Sequence, residues 1–405
     1  MKFYFDQIET QNLSHVPQIL EVREFKQFKR FYNIGNAEFS FTTDYTECGI
    51  YLIEVSKLTH QWTSKNEFDS SFDTLENIPI HVVDAVKNKK LRIVIISIVE
   101  GDNFVKEYWD SFNSLTTSMR NLGLPPLSVL IVSGNVNADV EYIQWCEDND
   151  QTPIIEFIGG TEGPDSLYDN NVISAKNAHQ LSHPFLYSSL NRAHRHSRTE
   201  HLYVLAKENI LDKGLVSGGI HFNEHIHLPK FQRVDLDEWN STLVNNYPRS
   251  IDVDAETLRI QNQAHNVNFS IYNNSLLSVV TETYFEEPGL YFSEKTFRPI
   301  ITGSPQIILG QPNALKYLKS KFNINLYFKG IDTNFDRIPD AKSRFKRFHR
   351  SLMQWITLDS LQRKTIYENL FGQLEQNLNT IRNTNFKKII VDDIIKSTKN
   401  YFKGH

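Results

Sequence analysis

The run Leu91–Val99, LRIVIISIV, limits what this chain can become more than any other segment. It is β-branched and almost wholly apolar, the pattern of a parallel strand buried on both faces. Such a strand needs helices on both sides of its sheet, and the next residues supply the alternation. Phe104–Leu122 carries a helical period through Phe104, Tyr108, Phe112, Leu115 and Met119. Leu127–Val132 (LSVLIV) is a second buried strand, Val140–Cys146 a short helix and Pro153–Ile158 (PIIEFI) a third strand. Strand and helix in this order predict a doubly wound α/β domain. Upstream, Gly49–Leu58 reads as one further strand.

The pattern weakens after Ile158 and restarts beyond residue 180. Phe185–Ser188, Leu276–Val280 and Gln306–Leu309 read as strands, and Thr199–Ile210, Glu294–Thr302 and Asn313–Phe322 as helices. Residues 341–405 are helical by periodicity. The expectation is therefore an α/β chain of two Rossmann-like domains facing a cleft, with C-terminal helices. Residues 1–180 form the first domain, 181–340 the second, and 341–405 a basic helical segment. A length of 405 residues suits two or three domains.

Composition excludes several classes. At 40 % hydrophobic and 22 % charged residues the chain is neither fibrous nor disordered. Its two cysteines, Cys48 and Cys146, exclude a disulfide framework or a cysteine-rich zinc site and fit a reducing cytoplasm. No apolar stretch is long enough to span a membrane, and the N-terminal residues lack a signal-peptide pattern. The net charge of -5 is uneven, with 13 Lys/Arg against 5 Asp/Glu in residues 341–405. A basic end on an acidic body is either a set of solvated helices or a polyanion-binding surface. For the second reading, Phe345, Phe348, His349, Trp355 and Phe386 stand among the basic residues, as nucleic-acid binding requires.

P-loop, GxGxxG and GxSxG motifs are absent. Three arginines, Arg192, Arg195 and Arg198, cluster between a short strand and a helix start, where backbone N–H groups and guanidinium forks suit a diphosphate. A second cluster, Tyr291-Phe292-Ser293-Glu294-Lys295-Thr296, opens a helix. Glu294 there suits the two hydroxyls of a ribose and Lys295 a phosphate; the same letters also begin a capping box. His221, His225 and His227 have the spacing of a metal site but lack an obvious fourth ligand, so a polar loop is the favoured reading and no metal is expected. Glu100 and Asp102 follow the strongest strand, where a carboxylate serves either as general base or, for Asp102, as helix cap. Asp44, Glu47 and Glu162 are next in line as base.

The second cluster resembles the aromatic–x–Thr–Glu–Lys donor motif of the α1,3-fucosyltransferases, with Ser293 in place of threonine. The segment Thr302-Gly303-Ser304-Pro305-Gln306-Ile307-Ile308-Leu309-Gly310 is similar to the strand and glycine that come after the donor motif in that family. Upstream, Ser189-Leu190-Asn191, Arg198 and Ser217-Gly218-Gly219 match a strand end, an arginine and a Gly-Gly turn. The resemblance covers about residues 185–320. It implies the two-domain GT-B glycosyltransferase fold and a metal-free, inverting transfer from a UDP- or GDP-sugar, with no cofactor. It further implies that Arg198 and Lys295 hold the diphosphate, Glu294 the ribose, and Tyr291 the nucleotide pocket. The acceptor is a glycan or saccharide; a hydroxylated DNA base, as glycosylated by bacteriophage enzymes, is the alternative. A non-catalytic nucleotide- or glycan-binding protein is the rival from outside enzymology.

Overall fold

The computed structural model describes residues 2–4, 38–40, 48–54, 75, 78–97, 105–106, 109–161, 184–191, 195–218, 229–231, 234–247, 269–286 and 289–404. They fall into two units. The first takes residues 1–162, 288–291 and 385–405, the second 163–287 and 292–384.

In the first unit, strands β1 (Lys2–Tyr4), β2 (Glu38–Ser40), β3 (Gly49–Glu54) and β4 (Leu91–Ser97) are followed by a two-residue hairpin, β5 (Val105–Lys106) and β6 (Trp109–Asp110). Strands β7 (Val129–Ser133) and β8 (Ile155–Gly159) complete the main sheet, which is parallel and ordered β2-β1-β3-β4-β7-β8. Helices α1 (Ile80–Lys87), α2 (Ser111–Asn121) and α3 (Ala138–Asp148) belong to this unit. Within the span expected to be helical from Phe104, Val105–Lys106 and Trp109–Asp110 pair as strands instead, and the described helix runs from Ser111 to Asn121.

Strand β4 fits its sequence. Ile93 and Ile95 enter a core with α1, α2 and α3, while Val94 and Ile96 face the opposite side. A strand with both faces covered needs no polar alternation.

The second unit holds β9 (Tyr187–Asn191), β10 (Gly214–Gly218), β11 (Ser278–Thr281) and β12 (Gln306–Leu309) in a parallel sheet ordered β10-β9-β11-β12. Its helices are α4 (His196–Lys207), α5 (Leu236–Asn246), α6 (Phe269–Asn273), α7 (Glu294–Ile301), α8 (Ala314–Phe322), α9 (Ala341–Thr357) and α10 (Ser360–Asn383). The last helix, α11 (Phe386–Lys403), belongs to the first unit. Its Ile390, Val391 and Ile394 complete the apolar layer over Val94, Ile96, Leu130 and Val132. Arg92, fully buried in β4, locks α11 in place. It donates to Ser397 Oγ (2.6 Å), Glu156 Oε2 (2.6 Å) and the Leu127 carbonyl (3.0 Å), and its guanidinium lies 5.1 Å from the Tyr401 ring centre.

Residues 341–405 therefore do not form a unit of their own. The aromatic residues expected to face nucleic acid point inward instead: Phe345, Phe348, His349, Trp355 and Phe386 are all buried. In α9 the apolar residues recur at helical spacing and turn one face to the core. Part of the positive charge is internal too. Arg344 is buried and donates to the carbonyls of Gly310, Ile338, Pro339 and Phe285.

The expected pair of α/β units with C-terminal helices is present. No helix among the described residues is long and apolar enough to cross a membrane.

Candidate functional site

In the second sheet the chain runs from β9 outward to β10, then returns to the other side of β9 for β11 and β12. The order reverses between β9 and β11. Open α/β sheets bind ligands at such a reversal, beyond the carboxyl ends of the strands. The two strands are paired through Ser188↔Ser278 and Ser189↔Val279 and part beyond that point. Their ends are bridged by side chains. Thr281 Oγ1 donates to Asn191 Oδ1 (2.5 Å), Asn191 Nδ2 donates to Ser189 Oγ (2.9 Å), and the Asn191 backbone N–H reaches Ser217 Oγ on β10 (3.2 Å). Asn191 thus ties three strand ends together.

Arg198 stands in the first turn of α4, buried, and donates to the Thr281 carbonyl (3.1 Å) and Thr283 Oγ1 (3.4 Å). It is therefore anchored at the end of β11. Glu282, the next residue after that strand, is buried and faces the start of α7. Its carboxylate accepts from Ser293 Oγ (2.6 Å), Thr296 Oγ1 (2.5 Å) and the Ser293 backbone N–H (3.2 Å). Ser293 in turn caps α7 by accepting from the Lys295 N–H (3.3 Å). The hydroxyl of Ser293, expected on the donor, is thus engaged in building the helix start.

Glu294 opens α7. Lys295 Nζ lies 3.8 Å and Arg298 Nη2 3.7 Å from its Oε1. Burial alone would raise this carboxyl; the charges of Lys295 and Arg298, its own backbone N–H and the charge of Arg198 outweigh that and hold it below the usual carboxylate range. Glu294 is therefore ionised at neutral pH, and Arg198, Lys295 and Arg298 all act on it. Such a group of fixed cations around one carboxylate can hold an anionic ligand and orient a hydroxyl beside it.

Of the sequence-predicted residues, Glu294 and Lys295 stand together at the start of α7, capped by Ser293, while Arg198 is held at the end of β11 and acts on Glu294 through its charge. Arg195 precedes α4 and is exposed. Tyr291 is half-buried in the 288–291 segment of the first unit. Glu100, Asp102, Arg192, Asp44, Glu47, Glu162 and the histidines 221, 225 and 227 lie outside the described residues. Among the described residues no three His, Cys, Asp or Glu side chains meet as a metal-ligand set. Arg298 was not singled out by the sequence, whereas Glu282 stands in Val280-Thr281-Glu282-Thr283, which resembles the acidic segment before the donor motif of the α1,3-fucosyltransferases. The signal for Arg298 was its place four residues after Glu294, one turn along the same helix face.

No protein-family model matches the chain, and no curated protein matches it. Among solved structures the chain is similar to TarM, with TM-score 0.41 and 9 % identity over 86 % of this chain. It spans only 54 % of the TarM chain. It is also similar to the trehalose-6-phosphate phosphatase N-terminal domain of Candida albicans (TM-score 0.39, 10 % identity, 98 % of this chain and 97 % of the other). A third likeness is to an alpha-glucosyltransferase in complex with UDP-glucose and DNA containing an abasic site (TM-score 0.36, 10 % identity, 98 % of each chain). Likenesses of this depth assign neither family nor reaction.

Proposed function

We propose that the chain is a glycosyltransferase that moves a sugar from a nucleotide-sugar donor to an acceptor hydroxyl, with inversion and without a metal. The observation that carries the reading is the pairing of Lys295 and Arg298 with Glu294, at 3.8 and 3.7 Å, at the strand reversal of the second sheet where Arg198 is anchored to the end of β11. The fucosyltransferase-like order of these residues in the sequence supports it. In this reading Glu294 takes the ribose hydroxyls and the cations take the diphosphate. Glu100 or Asp102 accepts the acceptor's proton. The acceptor oxygen then bonds to the anomeric carbon as the carbon–oxygen bond to the diphosphate breaks, the electron pair leaving with the diphosphate. Charge fixed in place for that leaving group lowers the barrier without reorganisation. A glycan or saccharide is the leading acceptor.

A thermal-shift series with UDP, GDP, CMP and ADP tests the donor half, because a ligand that binds only the folded chain raises its stability. Stabilisation by one nucleoside diphosphate, lost in Lys295→Ala, is expected; no response to any of the four overturns the reading. Release of that diphosphate from its nucleotide sugar separates an enzyme from a binding protein.

One observation keeps DNA as a second acceptor class. Lys342, Lys346 and Arg350 are exposed one turn apart along α9, a row that fits a phosphate backbone. Duplex binding that weakens steeply with salt, and less steeply when the three are replaced by alanine, is its test.

A further inference from the structure

Helix α8 places Lys316, Lys319 and Ser320 on one face, at the spacing of neighbouring turns. That face borders a cavity of ≈ 680 Å³ lined by Asn313, Lys316, Lys319, Ser320, Tyr327 and Arg337. It shares no residue with the Arg198–Glu294 cluster. Its size is that of a small-molecule site.

The charge in the cavity is one-sided. Lys319 Nζ lies 5.8 Å from the centre of the Tyr327 ring and Arg337 Cζ 6.0 Å from it, so two cations flank one aromatic ring. Lys316 is a third. Among the described residues no carboxylate lines the cavity. The neighbouring acid, Asp336, is buried and already engaged: it accepts from the Leu315 N–H (3.0 Å) and from the Tyr327 hydroxyl (3.1 Å). Asp336 thereby caps α8 from below, where Asn313 makes no side-chain cap. Three like charges around an opening, with the nearest counter-charge buried, repel one another, and a bound anion relieves that repulsion. Two ammonium groups and a planar guanidinium provide the donors that a phosphate group takes, and the Tyr327 ring provides an apolar wall beside them.

The geometry points to a second ligand site on this unit, which takes a small phosphorylated molecule through Lys316, Lys319 and Arg337. The inference does not rest on the proposed transfer reaction, because it uses none of that site's residues. A phosphorylated acceptor, a released product and a regulatory metabolite share this chemistry.

The test uses calorimetry on the full chain with pyrophosphate as probe, in the Lys295→Ala background to remove the donor cluster's contribution. Saturable one-to-one binding is expected, weakened at least tenfold by Lys319→Ala with Arg337→Ala. Both side chains are exposed, and a thermal melt of that variant checks that the fold is kept; Lys316→Ala gives an independent variant should it not be. Unchanged affinity in both variants overturns the site. Repetition with glucose 6-phosphate and with an oligonucleotide separates the sources: displacement of pyrophosphate by the sugar phosphate supports a small-molecule site. Displacement by the oligonucleotide alone overturns it in favour of a polymer-binding surface.

Discussion

His201 Nδ1 and His349 Nε2 lie 2.9 Å apart in the core of the second unit, and the hydrogen bonds through them run in one direction. His349 Nδ1 is 3.0 Å from the Phe345 carbonyl, which only accepts, so Nδ1 carries the proton. His349 Nε2 therefore accepts from His201 Nδ1, and His201 Nε2 accepts from Ser189 Oγ at 3.0 Å. Ser189 receives Asn191, which receives Thr281. The strand ends beneath the candidate site are thus connected to α9 by a chain that requires both histidines neutral.

Acid should loosen this unit. Burial, and for His201 also its neighbour His349, hold both imidazoles below the ordinary histidine value. Below about pH 6.5 the unfolded chain binds protons that the folded chain refuses, so their contribution is complete above that pH and is lost as pH falls. Each histidine adds a slope of up to about 1.4 kcal/mol per pH unit. The melting temperature should fall from pH 7.5 to pH 5, and His201→Asn with His349→Gln should flatten the fall. Equal slopes in the variant and the parent would contradict the chain of bonds.

Glu141 should act in the opposite sense in the first unit. Its carboxyl is pushed up to about 7, by burial first and further by Asp139, against the opposing bonds from Asn135 and the Gly289 backbone. A carboxyl raised on folding stabilises most at low pH, and that contribution is lost as pH rises through 7. Asn135 links it to the 288–291 segment, accepting the Leu290 N–H at 2.9 Å while Val136 donates to the Leu290 carbonyl at 2.9 Å. Glu141→Gln should raise the melting temperature at pH 8 and leave it unchanged at pH 5. Hydrogen exchange at Leu290 should slow at pH 8 in the same variant.

Lys295→Ala should lower transfer by roughly 10²–10³ and weaken nucleoside diphosphate binding, as loss of one fixed charge-stabilising contact does. Glu100→Gln or Asp102→Asn should lower the rate with donor affinity intact, because a base touches only the acceptor. Rates close to normal in both carboxylate variants would move the base to Asp44, Glu47 or Glu162. Transfer should also survive EDTA; a loss restored by Mn²⁺ would return attention to His221, His225 and His227.

Arg92→Met should destabilise the chain by about 3 kcal/mol, because it removes three hydrogen bonds and with them the tie from β4 to α11. Ser397→Ala should cost about 1–2 kcal/mol, because it removes the bonds to both Arg92 and Glu156. A urea melt gives both values.

Legibility in the sequence followed how local each cause was. Strand β12 agrees residue for residue, since QIIL is short, apolar and bounded by turn residues. The start of α7 was visible because Ser293 caps it through bonds within a few residues. Strand β10 was not, because its flanking glycines resemble a turn. They serve close packing: a Cβ on Gly214 would stand 2.4 Å from the Tyr187 ring. Arg344 counts as surface charge in any sequence sum, and only the fold brings the Phe285 and Gly310 carbonyls to it. The same holds for His201 and His349, which are 148 residues apart.

The placement of α11 bears on the order in which the chain can finish folding during its synthesis. Strands β1 to β8 are made first, yet the apolar layer over Val94 and Leu130 stays unfinished until Ile390, Val391 and Ile394 have emerged. At roughly 5–20 residues per second, the roughly 230 residues from Gly159 to Ile390 take about 12–46 s. Through that interval Val94, Ile96, Leu130 and Val132 lack the cover that α11 gives them.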